Sequence, residues 1–123
     1  MLATANPITF IPTRDADRSR PFYEITLRLP FLSDDGFALN FETGGILLRI
    51  VRVGDFSPQI FTLFGWDVPD VEAAVAELSS RGVHFLHIHG MQQSSSGVWT
   101  APSGAKIAWF KDPDGNTLSV SQH

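Results

Sequence analysis

The sequence predicts an α+β fold built from two consecutive βαβββ modules, and three observations carry that prediction. Short apolar stretches rich in β-branched and aromatic residues, separated by turn chemistry, run through most of the 123 residues. Only two stretches have helical character, one following Asp15 and one at 69–82. The order strand, helix, three strands then occurs twice. "RDADRS" and "PDVEAA" each stand seven residues after the start of an apolar strand core. Identity between the halves is low, so the duplication, of about 55 residues, rests on element order.

Each element has its own warrant. "PITFIP" (7–12) is apolar, β-branched and bounded by prolines, which reads as a strand. In "RDADRSRPFYEITLRLP" the carboxylates of Asp15 and Asp17 suit the free N–H groups of a helix start, with Phe22, Tyr23 and Leu27 as buried positions. Pro21 opposes a continuous helix, because inside one it removes a hydrogen bond at a cost of about 3 kcal/mol. The helix is therefore expected to begin later or to kink there. Strands at 31–34, 36–42 and 46–53 follow, separated by "DG" and "TGG" turns. "DFSP" is a break, after which "QIFTLFGWDV" (59–68) reads as a new strand. In 69–82, Val71, Ala74, Val75 and Leu78 share one helical face; Pro69 and Asp70 suit the entry, and Gly82 the left-handed cap. Strands at 84–89, 97–100, 105–110 and 116–121 complete the pattern. The expected organisation is one domain over 1–123, with module one at about 7–56 and module two at about 59–121.

Composition narrows the function classes. Hydrophobic residues make up 43% and charged residues 18%, a globular balance. The net charge of −4 and the absence of any cluster of Lys and Arg argue against a nucleic-acid surface. No apolar run approaches the length of a membrane span. The opening "MLATANP" has neither the basic region nor the apolar region of a signal peptide, and there is no cysteine, so a cytoplasmic protein is expected.

Two motifs invite a functional reading. "GVHFLHIHG" holds His84, His87 and His89, and imidazole is a common metal ligand. On a strand, His87 and His89 share a face and His84 points away. Such a pair gives two ligands where zinc usually takes at least three from protein. A third would have to come from Glu, Asp or His123, and the expectation is that these histidines are solvated or structural. "AWFKDPDGNTLSV" (108–120) reads as strand, tight turn and strand, with Asp112-Pro113 starting the turn, Gly115 supplying positive φ and Asn116 tolerating the left-handed region.

On "DADRSRPFYEITLRLPF", "DVEAAVAELSSRGV", "WTAPSGAKIAWF" and "KDPDGNTLSV", the chain resembles the vicinal oxygen chelate superfamily over roughly residues 7–121. That superfamily includes glyoxalase I, bleomycin-resistance and fosfomycin-resistance proteins, and extradiol dioxygenases. The resemblance implies two βαβββ modules paired so that a curled sheet surrounds an open cavity. It also implies a homodimer whose partner chain can complete a site. Arg28 stands where the family usually has a glycine after the first helix; with Pro21, this implies an altered helix exit. In metal-using relatives four His, Glu or Gln side chains point into the cavity. The resemblance puts their counterparts at Ile8, Leu63, Ser119 and, at or next to it, Arg49. Alkyl groups offer no lone pair and a guanidinium repels a cation, so the family metal site reads as dismantled and no cofactor is expected.

The same replacements describe a pocket: Ile8, Phe10, Leu63, Ser119 and Arg49, with Trp99 and Trp109 for its walls. Arg49 reaches solvent, binds an anionic oxygen of a ligand, or pairs with an internal acid such as Glu42. Glu42, Asp67, Tyr23 and the three histidines are the available proton-transfer groups, and no spacing holds a pair of them together. The sequence shows no Ser/His/Asp arrangement, phosphate loop or dinucleotide fingerprint. The leading expectation is a metal-independent protein of the bleomycin-resistance type that binds a small organic molecule, anionic ones included. The alternative is a glyoxalase-like lyase or isomerase that uses Arg49 in place of a metal. An interaction module with a cavity filled by its own side chains is the third.

Overall fold

Strand pairing follows the same order twice. In the computed structural model, which describes residues 1–123, the chain separates into two compact units, Met1–Ser57 and Pro58–His123. The first contains β1 (Ile8–Thr13), α1 (Ala16–Pro21), β2 (Phe31–Asp34), β3 (Ala38–Thr43) and β4 (Ile46–Arg52). Its sheet runs β1-β4-β3-β2, with β1 parallel to β4 and the other pairs antiparallel. The second contains β5 (Phe64–Asp67), α2 (Val71–Ser80), β6 (Trp99–Thr100), β7 (Lys106–Lys111) and β8 (Thr117–Gln122), in the order β5-β8-β7-β6 with β5 parallel to β8. The α+β class and the duplicated element order are thus as the sequence predicts. No helix is long and apolar enough to cross a membrane.

The two helix starts are the same device. The Asp15 carboxylate accepts from the Arg18 N–H at 3.3 Å and the Asp70 carboxylate from the Ala73 N–H at 3.1 Å, each satisfying a donor that the first turn leaves free. Pro21 acts as its chemistry requires. It closes α1, and the chain continues as a π-helical turn, Phe22–Thr26, with the Leu27 N–H reaching the Phe22 carbonyl at 2.9 Å. Arg28 itself takes φ +57°, the left-handed conformation a glycine would supply there. At the end of α2, Gly82 (φ +93°) allows its N–H to bond the Ser79 carbonyl and that of Val83 the Leu78 carbonyl.

Alternation along the strands sorts each sheet into two faces. In the first unit Ile11, Leu48, Ile50 and Phe41 are fully buried on one face. Tyr23 meets Phe41 at 6.0 Å between ring centroids, and the Thr13 and Ser19 hydroxyls bond at 2.7 Å, so this is the face α1 covers. Burying side chains of this size stabilises by roughly 1.5–3 kcal/mol each. In the second unit Val71 and Val75 are the buried face of α2, which packs on β7 and β8, where Ala108, Phe110, Leu118 and Val120 are buried.

Two expected strands differ. The strand read at 59–68 is confined to β5, because β8 starts at Thr117 and offers residues before Leu63 nothing to pair with; Ile60 and Phe61 are exposed. At 84–89 there is no strand, only a bridge from Phe85 to Phe110 and one bond from the Leu86 N–H to the Trp109 carbonyl. Here the Gln93 amide takes the backbone groups that a neighbouring strand would use. It accepts from the Ile88 N–H and donates to the Leu86 and Gly97 carbonyls. Asn116 also departs from expectation. It stays out of the left-handed region, and its side chain instead donates to the Asp112 carboxylate at 2.9 Å.

Candidate ligand-binding site

On the face of the first sheet turned away from α1, register brings Phe10, Arg49 and Asn40 side by side across β1, β4 and β3. Ile8 lies beside Leu47 one step along. Ile8 and Phe10 are half exposed, at 50% and 57%. The Arg49 guanidinium is held by Nη1, which donates to Asp35 Oδ2 at 2.8 Å and to Asn40 Oδ1 at 2.9 Å. Nη2 and Nε keep their hydrogens for a further acceptor. The acid paired with Arg49 is therefore Asp35; Glu42 accepts instead from the Gly45 N–H at 2.8 Å. Hydrogen bonds from Asn40 and the Ala38 N–H, then from Arg49 and the Phe37 N–H, hold the Asp35 carboxyl well below the usual carboxylate range. Next to it, a bidentate pair with Arg52 and a bond from the Gly36 N–H lower the Asp34 carboxyl to about 2.

The second sheet repeats the arrangement with different chemistry. Gly65, Ser119 and Trp109 stand side by side across β5, β8 and β7. Trp99 lies diagonal to Trp109, with ring centroids 6.1 Å apart. The indole N–H of Trp109 donates to the Thr62 hydroxyl at 3.0 Å, which fixes the ring. Leu63, just before β5, is tied to β8 through its N–H and the Thr117 carbonyl, and is 39% exposed. A Cβ on Gly65 would collide with the Ser119 hydroxyl, so the glycine makes the room that the hydroxyl occupies. The structure thus brings Ile8, Phe10 and Arg49 onto one sheet face, and Leu63, Trp99, Trp109 and Ser119 onto one region of the other sheet. Of two open clefts in the second unit, one is lined by Trp99 but not by Leu63, Trp109 or Ser119, and the other by none of these four.

The glyoxalase/bleomycin resistance protein/dioxygenase superfamily model matches residues 4–120. The chain belongs to that superfamily. Among solved structures, a superfamily member from Sphaerobacter thermophilus has a TM-score of 0.76 at 19% identity, covering 100% of both chains. Lactoylglutathione lyase from Agrobacterium tumefaciens gives 0.74 at 18%, covering 97% of this chain and 93% of its own. A superfamily protein from Alicyclobacillus acidocaldarius gives 0.72 at 17%, covering 98% and 92%. At such identities the likeness shows the fold alone. A comparison with curated proteins gives no match.

The residues present do not fit the metal that many superfamily members hold. At the positions that the resemblance implies for its ligands, the last at or next to Arg49, stand two alkyl chains, one hydroxyl and a guanidinium already bonded to Asp35 and Asn40. Nowhere do three His, Cys, Asp or Glu side chains gather into a metal-holding group. His84, His87 and His89 are all exposed on an irregular segment, so the two-faced strand expected for them does not exist. Sequence reasoning missed Asp35, Asn40, Thr62 and Gly65. Asn40 left a signal, as a polar residue inside the strand run "ALNFET". Asp35 was hidden within "DDG", which reads as turn chemistry alone.

Proposed function

We propose that this superfamily member is a metal-independent binding protein for a small organic molecule, of the bleomycin-resistance kind. The surfaces assigned are the sheet face with Ile8, Phe10 and Arg49 and the sheet region with Leu63, Trp99, Trp109 and Ser119. The carrying observation is the pairing of exposed large apolar groups with a few fixed polar ones: Phe10 is 57% exposed beside an arginine clamped by Asp35 and Asn40. Apolar walls with a small number of placed polar groups are the profile of a small-molecule surface. The spare guanidinium donors suit a carboxylate or another oxygen acceptor. A cytoplasmic homodimer is part of the proposal; the lack of cysteine and the exposed apolar residues of the single chain support it.

The test is thermal unfolding of EDTA-treated protein against Ni²⁺, Zn²⁺, Mn²⁺ and Fe²⁺, then against a panel of aromatic carboxylates. A ligand at 100 times its Kd stabilises by about 2.7 kcal/mol. Stabilisation by an aromatic carboxylate that is lost in Arg49→Ala, with no response to metals, is the expected result. A saturable metal response with stoichiometric metal content overturns the proposal.

A further inference from the structure

A second cleft shares Trp99 with the sheet region above but none of that region's other residues. This cleft of about 380 Å³ in the second unit is bounded by Glu72 from α2, Gln92 and Ser94 from the loop before β6, Trp99 and Thr100 of β6, and Lys106 of β7. That volume is in the range of small-molecule sites. Its two charged side chains have opposite sign, yet neither Glu72 nor Lys106 takes part in an ion pair. Glu72 is not loose: its Oε2 accepts from the Ser96 hydroxyl at 2.8 Å, and Ser96 is linked to Ser94 at 2.8 Å. The carboxylate is thereby held toward the loop while its other oxygen keeps its lone pairs. The amide of Gln92, the indole N–H of Trp99 and the ammonium of Lys106 make no hydrogen bond within the protein, so three of the lining residues carry unspent donors beside one anchored anion.

We propose that this cleft binds a dipolar small molecule of the amino-acid class. Its ammonium would meet Glu72, its carboxylate Lys106, and its apolar part the Trp99 ring. A purely anionic ligand would face Glu72 and a purely cationic one Lys106, whereas a zwitterion matches the separated charges. The indole face adds an attraction for the ammonium and an apolar wall for the side chain.

The probe is L-phenylalanine, followed through the Trp99 indole N–H cross-peak in ¹H–¹⁵N spectra of the full chain, the peak being assigned by its loss in Trp99→Phe. Phenethylamine and 3-phenylpropanoate, which each lack one charge, are the matched controls. Saturable movement of the Trp99 peak is expected. Affinity should fall by roughly two- to five-fold for each control, and likewise for L-phenylalanine in Glu72→Gln and in Lys106→Met. No saturable movement at millimolar probe overturns the proposal, as does equal affinity for the singly charged controls. Movement of the Trp109 peak that is insensitive to both variants also overturns it, and leaves the sheet-face reading intact.

Discussion

Arg28 gives a prediction whose sign follows from backbone conformation alone. Its φ of +57° lies in the left-handed region, and its side chain is exposed. A residue with a Cβ pays roughly 1–2 kcal/mol to sit there. Glycine avoids that strain but loses about 0.5–1 kcal/mol more backbone freedom on folding. The difference makes Arg28→Gly more stable by about 0.5–1 kcal/mol. For 123 residues, an unfolding entropy of roughly 0.26 kcal/mol/K turns this into a Tm rise of about 2–4 °C. Arg28→Ala is the control, since it removes the same guanidinium and keeps the strain; it should stay within about 0.5 kcal/mol of the parent. Calorimetry and urea unfolding of the three proteins decide the matter. If the glycine variant is no more stable than the alanine variant, the strain argument is wrong and Arg28 is held by something other than its backbone.

Asp112→Ala should lower stability by roughly 3–5 kcal/mol in urea titrations, because the carboxylate accepts from the Asp114 and Asn116 N–H groups and the Asn116 amide, and all three residues are buried. Gly65→Ala should cost about 1–2 kcal/mol by overpacking against Ser119, and Gly65→Ala with Ser119→Ala should recover most of it; additive losses would show that the hydroxyl is not the obstacle. The Asp34 carboxyl is lowered from 3.8 to about 2, so the unfolded chain takes up its proton first as pH falls. The stabilisation from Asp34 is present above 3.8 and lost as pH drops through about 2. NMR titration should find its midpoint near 2, and Arg52→Met should move it up toward 3.8.

What the sequence discloses depends on how far apart the interacting residues are. Asp15 and Asp70 cap N–H groups three residues on, and Val71 and Val75 share a face by helical period, so these are written in a single window. The fold class follows because such windows recur in the same order. The first part of the strand expected at 59–68 and the whole of that expected at 84–89 fail for the opposite reason. Their composition is strand-like, but a strand needs an edge to pair with, and the start of β8 and the Gln93 amide decide that from elsewhere in the chain. Gly65 likewise looks like a weak point in a strand until register sets it beside Ser119.

Arg49 is where that limit bears on function. Sequence places an arginine at a position that metal-using relatives give to a ligand, and this invites the idea that its charge does the metal's work. The bond to Asp35 spans 14 residues and exists only because β2, β3 and β4 pair in the observed register. With the carboxylate 2.8 Å away and strongly held in its charged form, the local charge is close to balanced. A catalyst that stabilises a developing oxyanion benefits from uncompensated positive charge, whereas Asp35 supplies compensation before any substrate arrives. What remains at Arg49 is direction: a fork fixed by two partners, with donors left on Nη2 and Nε. That geometry suits hydrogen bonding to a ligand, and it supports the proposed binding protein over the lyase or isomerase.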